Sequence, residues 1–186
     1  MHSEETDEQI IILFKTGNEE VFKILIDRYT PILYNFVARL TDKDNASDIL
    51  QETFIKVWKN LKKFDEEKAS FKTWIFTIAK NTTTDFLRKK KSLIFSDFGK
   101  DEEENSFENN IPDEDLLPDE ILQRTQDFEL LNKTLEKLTI NYRTILILHY
   151  QEDMTFKEIG EILDKPLNTI KNQHYRAIFE LRKMLT

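Results

Sequence analysis

Cysteine is absent from the chain, so neither a disulfide frame nor a thiolate nucleophile can enter its chemistry, which suits a reducing compartment. Glycine and proline are scarce, at three and four residues in 186. A sheet protein needs such residues at its many turns, whereas the abundant Leu, Ile, Lys and Glu favour helices. No apolar run approaches the roughly 18 residues of a membrane span. The opening MHSEETDEQ is too polar and acidic for a signal or transit peptide. A cytoplasmic protein is expected. A glycine-rich phosphate loop is also missing, and His2, His149 and His174 lie far apart without metal-ligand spacing. An enzyme reading therefore has no residues to carry it, and neither a metal nor a cofactor is expected.

The net charge of −8 argues at first against a nucleic-acid partner, but it is unevenly spread. Residues 1–91 carry +1, residues 92–123 carry −10 and residues 124–186 carry +1. The acidity sits in one connecting stretch. Two near-neutral parts remain, each able to gather its cations on one face.

Helical spacing of apolar residues organises the first part. A short helix over about residues 6–15 ends at Gly17, and a longer one follows Asn18 with Val21, Phe22, Leu25 and Ile26 in one stripe. The pattern continues through Ile32, Leu33, Phe36, Val37 and Leu40, with Pro31 expected to kink or split it. Asp44 or Asn45 is the expected cap of a third helix, which turns Ile49, Phe54, Val57 and Leu61 inward. A fourth runs over about residues 71–91 with Phe71, Ile75, Ile78, Ala79, Thr82 and Phe86 buried. Four helices with short loops make a bundle. Residues 92–119 lack a helical stripe and read as a flexible acidic linker. Its Phe95, Phe98, Phe107, Ile111, Leu116 and Leu117 are more apolar than a spacer needs and are expected to dock when a partner is present.

Helical pattern resumes over residues 120–138 and 142–150 and leads into the most informative stretch, TFKEIGEILDKPLNTIKNQHYRAIFELRKML. Thr155 with Glu158 forms a capping box. Phe156, Ile159, Ile162 and Leu163 give a short apolar face, and Asp164-Lys165-Pro166 interrupts it. Asn168 or Thr169 is the expected cap of a second helix. Its inward row is Ile170, His174, Ala177, Leu181 and Leu185, and its outer face holds Lys171, Asn172, Arg176, Arg182 and Lys183. This is a helix-turn-helix whose second helix has the cationic face that enters a major groove.

The expected fold is thus all-α, with two small helical domains, residues 1–91 and 120–186, joined by an acidic linker. In this arrangement the sequence resembles the extracytoplasmic-function sigma factors of the bacterial sigma-70 family. The likeness rests on ASDILQETFIKVW (residues 46–58), FKTWIFTIAKNTTTDFLRKK (71–90), LTINYRTILIL (138–148) and FKEIGEIL (156–163), followed by Pro166, Thr169, Ile170, Lys171, Arg176 and Ala177. It implies a transcription initiation factor that binds core RNA polymerase through its clamp coiled coil and flap, directs it to promoters and assists melting. Implied contacts to the polymerase are Asp48, Gln51, Glu52, Phe54 and Trp58. The −10 element would meet Phe64, Lys80, Asn81, Asp85, Arg88 and Lys89, with Phe64 in the loop that holds an extruded base. The −35 element would meet Thr169, Lys171, Asn172, Gln173 and Arg176. An anti-sigma factor is the further partner implied, and the chain is expected to be monomeric when alone.

Physical chemistry supports these expectations independently. Asn81, Asp85 and Arg88 fall at i, i+4 and i+7 and form one ridge, with Lys72, Lys80, Lys89, Lys90 and Lys91 around it for phosphate contacts. Two departures stand out. The turn has Asp164 then Lys165 where the family usually has a glycine, and Asp tolerates the left-handed conformation needed there. Asn172-Gln173 replaces the usual Ser-Arg, which implies an altered −35 preference or greater reliance on Lys171 and Arg176. The rival readings are a conventional dimeric helix-turn-helix regulator and a sigma-like decoy that binds polymerase but no promoter.

Overall fold

The structure, a computed structural model, describes residues 5–94 and 128–185, and among these there is no strand. The sequence-predicted linker lies almost wholly outside the described residues, as does the predicted helical pattern of residues 120–127.

Helix α1 (Asp7–Lys15) starts from a Thr6–Gln9 capping box. After the turn at Gly17, where φ is +107°, a short 3-10 turn (Glu19–Val21) leads into α2 (Phe22–Leu40). Of the kink or split expected at Pro31, the split does not occur, and α2 runs through it. Leu25 and Tyr29 before it, and Leu33, Phe36, Val37 and Leu40 after it, are all buried on one side. That burial outweighs the roughly 3 kcal/mol an interior proline costs.

The third helix, α3 (Lys43–Asn60), is capped by Asp42, whose carboxylate accepts the Asn45 N–H at 3.0 Å. The cap falls two residues before the expected Asp44, because the side chain must reach the N–H of the third helical residue. Helix α4 (Phe71–Ile94) begins where Ser70 Oγ accepts the Thr73 N–H at 3.1 Å. Phe71, Ile75, Ala79 and Thr82 are buried as the spacing predicts, whereas Ile78 and Phe86 are only partly buried. Phe76, Thr73 and Thr83 are buried in addition. Such extra burial on a second face requires a second neighbour.

Phe36 of α2 meets Phe76 at 5.2 Å, and the C-terminal half packs on α4 as well. Helices α5 (Phe128–Lys137), α6 (Ile140–Tyr150), α7 (Phe156–Leu163) and α8 (Leu167–Leu185) follow. Leu138, Leu146, Ala177 and Leu181 form a small core of their own. Ile145, Ile147, Leu148, Met154, Ile159 and Ile162, however, join the same buried cluster as Phe36, Phe71, Ile75 and Phe76. Helix α7 packs on α4 and α6 on α2. Arg143 ties the seam: its guanidinium donates to the Glu136 and Leu138 carbonyls at 2.5 and 3.2 Å and to the Arg39 carbonyl at 3.3 Å. One cation thus satisfies carbonyls at or just beyond the C-terminal ends of α5 and α2, where the helix dipoles favour positive charge.

Candidate nucleic-acid interface

The helix-turn-helix is built as its residues require. Thr155 donates its backbone N–H and its hydroxyl to the Glu158 carboxylate at 2.8 and 2.7 Å, and accepts the Glu158 N–H at 3.3 Å. These bonds, first those from Thr155, hold the Glu158 carboxyl below its ordinary pKa. Asp164 ends α7 in the left-handed conformation, φ 52° and ψ 49°, as its short polar side chain permits. The next N–H, of Lys165, returns to the Gly160 carbonyl at 2.9 Å. Helix α8 then starts at Leu167, with the Ile170 N–H bonded to the Pro166 carbonyl at 3.1 Å. Asn168 and Thr169 therefore lie inside the first turn and do not cap it, since Pro166 already supplies the cap carbonyl.

On α8, Lys171 and Arg176 are exposed and Thr169 and Asn172 partly so. Gln173 is a correction: it is 8% exposed and belongs to the buried side of the helix. It follows Ile170 by three residues and precedes Ala177 by four, both fully buried, so helical geometry carries it inward with them. The spacing is available in the sequence, whereas the family resemblance alone puts Gln173 on the DNA-reading face. Tyr175 and Phe179, four residues apart, are exposed at 38% and 56% and form an aromatic edge that sequence reasoning missed.

On α4, Asn81, Arg88 and Lys89 are exposed and Asp85 partly so. Arg88 donates to Asp85 at 3.2 Å, and Lys90 pairs with Asp42 at 3.2 Å. Lys80 is different. It is half-buried, and its ammonium is held below its ordinary pKa by desolvation and then by the nearby Lys165 cation, with Asp164 opposing. Helix α7, which leads into the turn of the helix-turn-helix, packs on α4. Phe64 is a second correction, because it is a core residue. Its ring packs against Phe71 at 5.6 Å and Trp74 at 5.1 Å, its carbonyl accepts from Lys15 at 2.7 Å, and it is 6% exposed. A benzyl group without a base to stack on is driven into the nearest apolar cluster.

The remaining face is on α3. Asp48, Gln51, Glu52 and Trp58 are exposed along one side, and Glu52 pairs with Lys56 at 2.9 Å. Phe54, 9% exposed and turned toward Phe22 at 6.5 Å, is buried as its place in the inward row predicts, which corrects only its second assignment as a polymerase contact. Its place on the outer face is taken by Ile55, 47% exposed, four residues from Gln51 and three from Trp58. Trp58 is both surface and support: 38% exposed, it sets its edge against Phe14 at 4.9 Å and Phe22 at 5.0 Å.

These features define a two-domain helical DNA-binding protein, with a cationic helix-turn-helix in one half and a long polar, cation-bearing helix in the other. Residues 25–93 match the sigma-70 region 2 model and residues 128–181 the sigma-70 region 4 model. The ECF RNA polymerase sigma factor SigW of Bacillus subtilis is 32% identical over 92% of this chain and 92% of its own length. SigX of the same organism is 30% identical over 89% and 84%. Among solved structures, the sigma factor RpoE of Bartonella quintana, in complex with the anti-sigma factor NepR, is 25% identical with a TM-score of 0.66, covering 88% of this chain and 96% of that one. The sigma-like fold recurs in CnrH, in complex with the cytosolic domain of CnrY, with a TM-score of 0.68 over 97% of both chains. The chain belongs to the ECF RNA polymerase sigma factors, and its activity is promoter-specific initiation of transcription.

Proposed function

We propose that this activity divides among the parts of the chain as follows. Residues 1–91 bind the clamp coiled coil of core polymerase through Asp48, Gln51, Glu52, Ile55 and Trp58 on α3, and hold the −10 element along Lys80, Asn81, Asp85, Arg88 and Lys89 on α4. Residues 120–186 read the −35 element through Lys171, Asn172 and Arg176 on α8, with Thr169 at the edge, and the acidic residues 92–119 connect the two through the polymerase. The reading is carried by one observation: α3 presents an exposed row mixing carboxylates, an amide and two large apolar side chains. A DNA-only regulator has no use for acidic residues beside its apolar anchors, whereas a protein interface uses both. Among the described residues no helix is long and apolar enough to cross a membrane, which fits work in the cytoplasm. The chain acts as a non-catalytic factor. An anti-sigma factor is its further partner, as for the Bartonella quintana relative.

Runoff transcription with core polymerase over a library of genomic promoters, followed by start-site mapping, tests the whole reading. Promoter-specific starts are expected, and no start above core polymerase alone would overturn it. Within that assay, Arg176→Ala weakens −35 duplex binding while polymerase binding persists. Equal loss of both would mean that the substitution damages the fold.

A further inference from the structure

Among the described residues a cavity of about 340 Å³ opens where α2 and the start of α3 face α5 and α6. None of the promoter or polymerase contacts named above lines it. Tyr34, Ala38 and Arg39 reach it from one side of α2, Lys43 from the first turn of α3, and Arg143 from α6. Three cations therefore stand around a space whose one acidic lining residue, Glu136, is exposed. Water screens that carboxylate, so it offsets little of the positive charge.

Arg143 is the strongest sign that an anion belongs here. Its two terminal nitrogens donate to backbone carbonyls, and its Nε is buried with no hydrogen-bond partner among the described residues. Burial holds its pKa below the ordinary value, with Glu136 opposing. A guanidinium that has lost water and gained only neutral acceptors keeps an uncompensated charge and an unmade bond. A phosphate in the cavity would relieve both. The size and walls of the cavity narrow the ligand further. A volume of about 340 Å³ falls in the lower range of small-molecule sites and exceeds what a bare phosphate fills. Half-buried Tyr34, with Ala38, Leu135 and Ile147, supplies an aromatic and apolar wall suited to a planar ring. Arg39 follows Tyr34 by five residues, a rise of roughly 7.5 Å along α2, which separates a ring subsite from a charge subsite.

We propose that this cavity binds a nucleotide, its base against Tyr34 and its phosphates among Arg39, Lys43 and Arg143, and so gives the factor a small-molecule input besides its protein and DNA partners. Because the walls come from both halves, the ligand recognises this packing of the chain and stabilises it by mass action. The site does not depend on which helix meets which promoter element.

Isothermal titration calorimetry of the full-length chain with ADP, GDP and inorganic pyrophosphate tests this. A single site is expected, with submillimolar Kd for at least one nucleotide and about tenfold weaker binding of pyrophosphate, which carries the charge without the ring. Saturating nucleotide should also raise the melting temperature of the unaltered chain. Lys43→Ala, which removes an exposed cation, should weaken nucleotide and pyrophosphate alike, by about fivefold. Tyr34→Leu should weaken the nucleotide by about tenfold and leave pyrophosphate unchanged. If Tyr34→Leu does not fold, an azido-purine nucleotide photolinked to the unaltered chain should label α2 beside Tyr34, and a label confined to another element would overturn the proposal. No saturable binding of either nucleotide at millimolar concentration would overturn it, as would nucleotide affinity that either folded variant leaves unaltered, or equal affinity for pyrophosphate. A tetraglutamate peptide that binds where the nucleotides do not would assign the cavity to a protein partner's carboxylates and overturn it too.

Discussion

Gly160 sits where a methyl group has no room. A Cβ there would lie 2.8 Å from the Lys165 carbonyl oxygen, and that atom is backbone, fixed by the left-handed Asp164 before it. Gly160→Ala should therefore push α7 away from the turn and cost about 1–3 kcal/mol, read as a lower urea midpoint. His174 offers a second check. Its Nε2 bonds the Tyr150 hydroxyl at 2.8 Å, and its ring lies 5.3 Å from that of His149, which stacks on Phe156. Desolvation, and then His149, lower its pKa to about 4. Because the unfolded imidazole titrates near 6.5, the unfolded state takes up the proton first as pH falls, so stability is full above about pH 6.5 and declines toward pH 4. Between about pH 7 and pH 5 the loss should be on the order of 1–2 kcal/mol, allowing for partial solvent screening. His174→Gln should flatten that slope in denaturant titrations. At this scale the capping box and the left-handed Asp164 were legible, since both depend on near neighbours. Phe64 and Gln173 were not read correctly, because each is an amphipathic choice settled by what stands opposite, while Phe54 is buried as its inward place in the stripe predicts.

Among the elements, α3 carries the clearest division of labour. Its inner row, Ile49, Val57 and the neighbouring Leu61, is buried, while Ile55 projects outward among carboxylates. Ile55→Ala removes exposed apolar surface and improves helix propensity, so it should leave the melting temperature nearly unchanged. If the row binds polymerase, the same substitution should weaken core affinity by roughly tenfold, about 1.4 kcal/mol, measured by competition against the unaltered chain. Trp58→Ala is a poorer probe. Its ring supports Phe14 and Phe22, and its loss should lower stability by about 2–3 kcal/mol as well. Helix existence and order were readable from periodicity throughout the described residues. The unbroken course of α2 through Pro31 was not, because the local cost of a proline is visible in sequence and the packing that exceeds it is not.

For the whole molecule, the continuous buried cluster from Phe36 to Ile162 implies that the two halves unfold together. Scanning calorimetry should give one transition rather than two, and Arg143→Met should lower it, since about 1.5–3 kcal/mol is typical for hydrogen bonds to a charged group. Two resolved transitions in the unaltered protein would mean that the halves are thermodynamically independent. The sequence by itself determined the elements, the capping of the helix-turn-helix, the two-part organisation and the family, because those follow from spacing, turn chemistry and motif order along the chain. The tertiary structure decided which side chains of the expected interfaces face water. It turned Phe64 and Gln173 inward, put Ile55, Tyr175 and Phe179 at the surface, and packed α7 on α4. The physical reason is that burial belongs to pairs of surfaces far apart in sequence, and a helix announces its apolar stripe without naming the partner that will cover its second face.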